Sequence, residues 1–255
     1  MTNRRKNIII ILLPFIAIIL IWYLVTRNGL VQSYFLPSPI SVAKAGYLLF
    51  VNNNFSNDIL YSLARIFLGF TAGVILAIPL GLLIGSNKSI ELFLEPVIDF
   101  VRYTPIPAFV PLLILWLGIG ETEKIVIISA SVFFQLVLMI ANSVSQVPGD
   151  MIQFGRTLGL NRLNVVSRVV LPYSWPRIVD DMRVSLGWAW SSLLIAEIVG
   201  STSGIGFVII QSQRLLKTEN VIFAIIIVGL LGISFDQLFK VSRKLLFPWF
   251  RKSVI

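Results

Sequence analysis

Chemistry in an apolar chain concentrates at the few ionisable residues in or beside its apolar runs, here Asp99, Arg102, Arg183, Glu197 and Asp236. Charge at membrane depth is costly and marks pathways, relays or pairs. Glu197 stands in the run Leu193-Leu194-Ile195-Ala196-Glu197-Ile198-Val199. Two roles fit it: lining or gating a pathway, or making a packing hydrogen bond within a bundle. No chain of acids suggests a proton relay. Asp180 and Asp181 are neighbours that point apart on a helix, so they make a poor catalytic pair. A helix start between Arg177 and Arg183 suits them better. The sequence has no histidine and no cysteine. That removes the usual general base and metal ligand, thiolate sites and every Ser-His arrangement. A membrane-embedded enzyme would be left with scattered carboxylates.

The surrounding sequence must place these residues in lipid. Of 255 residues, 56% are apolar and 13% charged, and the mean hydropathy is +0.89. A soluble domain carries roughly 25% charged residues. A globule of this length cannot hide so much apolar surface, and disorder is excluded for the same reason. The net charge of +9 reads as a basic cytoplasmic face, not as nucleic-acid binding. A span needs about 20 apolar residues. Six stretches qualify, at about 8–26, 62–85, 93–118, 125–144, 182–200 and 221–239. The first follows Arg4-Arg5-Lys6, but its apolar run is 19 residues and no small-x-small site follows; it reads as a retained span, not a signal peptide. With both termini in the cytoplasm, 15 of the 21 Lys and Arg lie inside and 6 outside, as the positive-inside rule requires. The expected fold is an all-α membrane protein forming one domain, 1–255. Between spans one and two, Ser41 is expected to cap a short amphipathic helix containing Val42, Ala45, Leu48 and Leu49, lying along the outer membrane face.

Two spans carry further pattern. Gly69, Gly73, Ala77, Gly81 and Gly85 recur every four residues. Such a small-residue ridge lets another backbone approach closely, either a neighbouring helix or a second copy of the chain. Pro79 in the same span predicts a kink. Pro105, Pro107 and Pro111 fall within seven residues and forbid a straight third span. Broken backbone at membrane depth survives inside protein or beside a water-filled cavity. Arg102, Pro105, Pro107 and Glu197 are therefore the candidate pathway residues. A surface helix ending at Tyr103, with a fresh span from about Ala108, is the plainer reading, compatible with the first.

The loop 145–178 has a clear plan. Pro148-Gly149-Asp150 reads as a turn ending in an N-cap at Asp150. Met151 to Leu158 forms a short helix, and Gly159 fills the left-handed position after it. Asn161 caps a second short helix through Val170, which Leu171-Pro172 stops. Arg156, Arg162 and Arg168 make it basic. A helix-turn-helix so compact suits docking of a cytoplasmic partner; the bland alternative is a hairpin resting on anionic lipid.

Gln153-Phe154-Gly155, three residues, Gly159, nine residues, then Val169-x-Leu171-Pro172 resembles the signature loop of binding-protein-dependent ABC importer permeases. The family pattern is Glu-Ala-Ala, three residues, Gly, nine residues, Ile-x-Leu-Pro. The glycine spacing and Leu-Pro match, and Arg156-Thr157-Leu158-Gly159 reads like family members. Gln153, Phe154 and Gly155 depart from the acidic triplet. The segments 105–111, 115–121, Gly187-Trp188-Ala189-Trp190, Ala196-Glu197-Ile198 and Gly204-Ile205-Gly206-Phe207 are similar to those of the branch importing nitrate, sulfonates, taurine or bicarbonate. The resemblance covers roughly residues 30–245.

It implies a six-span, MetI-like permease bundle of the type I importer class, not an enzyme. Two permease copies would form the pathway in a bacterial inner membrane. Two ATPase subunits, which hold ATP and Mg, would dock beneath, and a periplasmic or lipid-anchored binding protein would deliver a small solute. The chain itself would carry no cofactor. The coupling loop would comprise Asp150, Met151, Gln153, Phe154, Gly155, Arg156, Thr157, Leu158, Gly159, Leu171 and Pro172. A neutral Gln153 removes the family's acid from that docking. A nitrogen-rich urea- or guanidine-like solute is the alternative cargo. An ion-coupled secondary transporter is the rival class, but it would need inverted repeats or a coupling-ion site, and the sequence has neither.

Overall fold

The structure is a computed structural model that describes residues 2–249, with side chains from Leu13 onward except Pro107. Among these residues the fold is all-helical. Helix α1 (Thr2–Arg27) exposes Ile16, Ile18, Leu20 and Ile21, a surface fit only for lipid. Its end is tied to the next segment where the Trp22 indole donates to the Pro37 carbonyl at 3.0 Å.

Helix α2 (Pro39–Asn52) buries Val42, Ala45 and Leu49 but leaves Leu48 exposed. Its cap is Ser38, not Ser41: the Ser41 N–H donates to Ser38 Oγ at 3.1 Å. Pro39 explains the shift, since its fixed φ and missing N–H suit the first helical position.

The bundle core is α3 (Phe55–Ser86) laid against α6 (Glu121–Ser145). A Cβ built on Gly69 would lie 2.7 Å from Ile128, on Gly73 2.8 Å from the Ser129 carbonyl, on Gly81 2.7 Å from Ile140, and on Gly85 2.5 Å from the Ala141 carbonyl. The small-residue ridge is thus filled by the side chains and backbone of α6 within the same chain. It is not free to pair with a second copy. Ala77, fully buried, completes it. Both series climb together, so α3 and α6 are parallel. Arg65 on α3 and Glu121 at the start of α6 meet at 2.6 Å, which fixes the same sense.

Parallel helices require the chain between them to return across the bundle. It does so in pieces: α4 (Lys88–Tyr103), a 3₁₀ turn Ile106–Phe109, and α5 (Val110–Leu117). At 1.5 Å per residue α5 rises only about 12 Å. The stretch 93–118, read as an irregular span, is therefore not one helix, and the break falls at Thr104-Pro105 because proline disfavours helix in the residue before it. On α4, Glu91, Glu95, Asp99 and Arg102 share one face by their spacing, and Phe93, Val97 and Phe100 project exposed from another.

Beyond α6 come α7 (Gly149–Thr157), α8 (Arg162–Val165), α9 (Leu171–Gly200), α10 (Ile205–Arg214) and α11 (Thr218–Leu246). Leu171-Pro172 does not stop the helix before it. Residues Val166–Val170 form a π turn in which the Leu171 N–H donates to the Val166 carbonyl, five residues back. The wider turn accommodates a proline that has no N–H of its own to donate, and 162–200 runs as one rod. Asp180 and Asp181 lie in the middle of this rod, not at a helix start. Asp180 pairs with Arg243 at 3.1 Å, and Asp181 accepts from Ser143 Oγ at 2.6 Å. Arg183 bonds Asp236, which also meets Lys240 at 2.6 Å. These pairs lock α9 to α6 and α11 near one end of the bundle. Among the described residues, four helical rods are long and apolar enough to cross a membrane: α3, α6, 162–200 and α11, with Leu13–Arg27 a shorter apolar helix.

Candidate functional site

The loop hairpin starts two residues earlier than the sequence suggests. Pro148 occupies the cap position and Asp150 falls inside the first turn of α7, where an acid still favours the positive helix end. Asn161 caps α8 as expected, accepting from the Asn164 N–H at 2.8 Å. Gly159 has φ +81, a conformation open to glycine with little penalty. Its N–H donates to the Arg156 carbonyl at 2.9 Å, and the Leu160 N–H to the Gly155 carbonyl at 3.2 Å. That bond pair is a Schellman closure. It turns the chain so that α8 and the π turn pack back on α7. Gly155 is buried there; a Cβ on it would sit 3.2 Å from Val169.

With Gly155 and Ile152 turned inward, α7 presents Met151, Phe154 and Leu158 outward. Phe154 and Leu158 are each 66% exposed. Gln153, Arg156 and Thr157 share the exposed surface. A helix beyond the bundle's apolar zone gains nothing by offering three large apolar side chains unless something covers them. Leu171 and Pro172 lie outside this face and hand the hairpin over to α9.

Glu197 belongs to a different place, at the far end of α9. It is fully buried. Its partners are Ser62 Oγ, donating at 2.7 Å, Arg65 at 2.8 Å, and the Gly206 N–H at 2.8 Å. Arg65, 2% exposed, uses all five of its N–H donors. They form a fork onto Glu121 at 2.6 Å and 2.6 Å, one bond to Glu197, and bonds to the Ser203 carbonyl and hydroxyl at 2.7 and 2.9 Å. The first N–H groups of α10 are also satisfied here: Gly204 donates to Asp58 at 2.8 Å and Ile205 to Ser62 at 2.9 Å. The run Gly204-Ile205-Gly206 follows from this crowding. Gly204 has φ +108 with Glu197 and Arg65 against it, and a Cβ on Gly206 would lie 2.7 Å from Glu197. Glu197 is thus the centre of a clasp joining α3, α6, α9 and the 201–204 turn.

Among the pathway candidates, Glu197 does not bond Arg102, while its neighbour Ala196 packs in one cluster with Ile106 and Val110 of the broken segment. Arg102 is paired with Asp99 at 2.8 Å and lies 5.0 Å from the Tyr103 ring. Pro105 is exposed at the α4 break, and the Pro107 side chain lies outside the described residues. Sequence reasoning missed Arg65, Ser62 and Glu121. The signal was present: Arg65 is as isolated in its apolar run as Glu197 is, and two lone opposite charges in lipid each require a partner.

Residues 69–251 match the family of binding-protein-dependent transport system inner membrane components. A putative aliphatic sulfonates transport permease from Bacillus subtilis (strain 168) is 32% identical over 239 residues, covering 94% of this chain and 86% of that protein. A taurine transport system permease from Escherichia coli (strain K12) is 30% identical over 238 residues, covering 91% and 86%. In fold, the chain is similar to one from the MetNI methionine ABC transporter in an inward-facing conformation, with TM-score 0.62 at 18% identity, covering 73% of this chain and 94% of that one. Family match, near-full-length relatives and shared all-helical fold agree: this chain belongs to the binding-protein-dependent ABC transport permeases, in the branch whose members include the sulfonate and taurine permeases.

Proposed function

We propose that this chain forms the translocation pathway of an ATP-driven importer of a small anion of the nitrate, sulfonate, taurine or bicarbonate kind, and that α7 is where a cytoplasmic ATPase drives it. The observation that carries the coupling role is the exposed stripe Met151, Phe154 and Leu158 on a helix closed by Gly159. The stripe is apolar, rigidly presented and continuous through the π turn with α9. Displacement of α7 by an ATPase would therefore reach α9 through 162–170 and, from α9, the clasp at Glu197.

The parallel sense of α3 and α6 supports a reading with six crossings. Taken with 88–117 as a span in pieces, α1, α3, α6, α9 and α11 then make six, with both termini on the hairpin's side. The basic cluster Arg156, Arg162 and Arg168 supports the cytoplasm as that side. On this reading a second permease copy completes the pathway, two ATPase subunits holding ATP and Mg engage the two α7 helices, and an external binding protein delivers solute. The bundle then needs two states whose balance the docked helices bias. In place of the acid of related loops, Gln153 offers a hydrogen bond without charge.

The test is Phe154→Asp, expressed with the cognate ATPase. A charge at the centre of the apolar stripe leaves membrane insertion unchanged and abolishes ATPase co-purification and uptake. Wild-type co-purification together with wild-type uptake would show that α7 is not the coupling element.

A further inference from the structure

At the hairpin end of the bundle a groove of about 710 Å³ opens between α3, α6, α7 and α8. Pro79, Leu82 and Leu83 of α3 form one wall, and Ile152, Leu163 and Val166 of the hairpin form the other. Its rim carries Lys88, Arg156 and Arg162, and no acid lines it. Pro79 lies nine residues before Lys88, so the wall runs on the order of 13 Å down from the rim. Pro79 and Leu83 are exposed on α3, so the groove opens along the apolar surface of that helix. Lys88 is shared with Glu91 at 2.6 Å. The guanidiniums of Arg156 and Arg162 make no hydrogen bond or ion pair among the described residues.

We propose that this groove is a binding site for an anionic phospholipid of the inner leaflet. Arg156 and Arg162 hold the phosphate, a pairing suited to the guanidinium fork, and an acyl chain lies along Leu82 and Leu83 toward Pro79. A soluble protein cannot follow the wall to that depth, whereas a lipid tail can extend along it. Basic pockets beside spans on the cytoplasmic side are suited to such headgroups. The lipid bridges the hairpin to α3 and so stiffens the mounting of α7. The inference rests on the inward placement of the hairpin.

The experiment is native mass spectrometry of the purified full chain in detergent, titrated with phosphatidylglycerol, phosphatidylcholine or glycerol 1-phosphate. Phosphatidylglycerol is expected to be retained in preference to phosphatidylcholine. Arg162→Gln should weaken its retention roughly fivefold, and Arg156→Gln with Arg162→Gln more than tenfold, the scale of one cation each at an anionic surface. Arg168→Gln, exposed on the same hairpin but outside the groove, should change little. Equal retention of phosphatidylcholine, equal weakening by Arg168→Gln, displacement by glycerol 1-phosphate at the lipid's own concentration, or release of the lipid when the ATPase assembles would each overturn the proposal. If the hairpin instead proved external in intact cells, the orientation would fail while detergent binding stayed as expected, so the two failures are distinguishable.

Discussion

Arg65 faces carboxylates on two sides: Glu121, whose side chain is 59% exposed, and Glu197, which is fully buried, where no solvent can replace the guanidinium. Removing one member of a buried pair costs more than removing both, because the survivor keeps its desolvation penalty without its partner. Arg65→Gln should therefore destabilise the purified chain by roughly 3–5 kcal/mol, read as a lower unfolding temperature in detergent. Adding Glu197→Gln should restore part of that loss. A double variant that melts below Arg65→Gln would mean the pair is not the source of the effect. Gly159 gives a second residue-scale test, since no heavy atom outside its own neighbourhood lies within 4 Å of a Cβ placed there. The cost of substitution is then conformational alone, about 1 kcal/mol or more for a β-branched residue. Gly159→Asn, which tolerates the left-handed region, should keep ATPase association close to normal. Gly159→Val should reduce it at unchanged membrane level. Equal behaviour of the two variants in co-purification would argue against a role for the φ of +81.

At the scale of elements, α3 and α6 behave as one unit. The ridge of α3 reads in the sequence as an association surface, and it is one, but its occupant is the chain's own α6. Gly81→Leu must push Ile140 and the Val137 carbonyl away, an overpacking cost of about 1–3 kcal/mol. The expected result is loss of thermal stability in the isolated protomer, with recovery on adding Ile140→Ala. Loss confined to assembly, with protomer melting unchanged, would return the ridge to an intermolecular role. The loop helices are a second unit. Their spacing, with Gly159, Asn161 and Pro172, is legible as two helices and a stop. Two of those three signals act as read. The third does not, because a π turn absorbs the proline and makes the hairpin mechanically continuous with α9.

For the whole molecule, sidedness is the property that ties the hairpin, the clasp and the groove to one mechanism. The sequence contains no cysteine, so single cysteines can be labelled without background. Ser167→Cys on the hairpin should stay protected from a membrane-impermeant maleimide in intact cells and react after permeabilisation. Lys217→Cys, between α10 and α11, should react in intact cells. The reverse pattern would overturn the orientation. On the proposed orientation, Arg65 and Lys124, each 2% exposed, add nothing to the outer surface.

Composition and period were enough to establish a lipid-embedded, all-helical chain, because apolar runs of span length have no other stable solution than a helix. Loop spacing and scattered segments were enough to identify the family, because a turn that needs positive φ and a helix that needs a cap leave fixed residues at fixed intervals. Partnership was beyond sequence. Glu197 could have faced a pathway or a neighbour, and only the packing of α9 against α3 sets Arg65 beside it across 132 positions of chain. The glycine ridge could have met any helix, and only the broken return through α4 and α5 delivers α6 to it in the same sense. Local signals act over one or two helical turns, whereas a pairing depends on where the whole chain has already placed both partners.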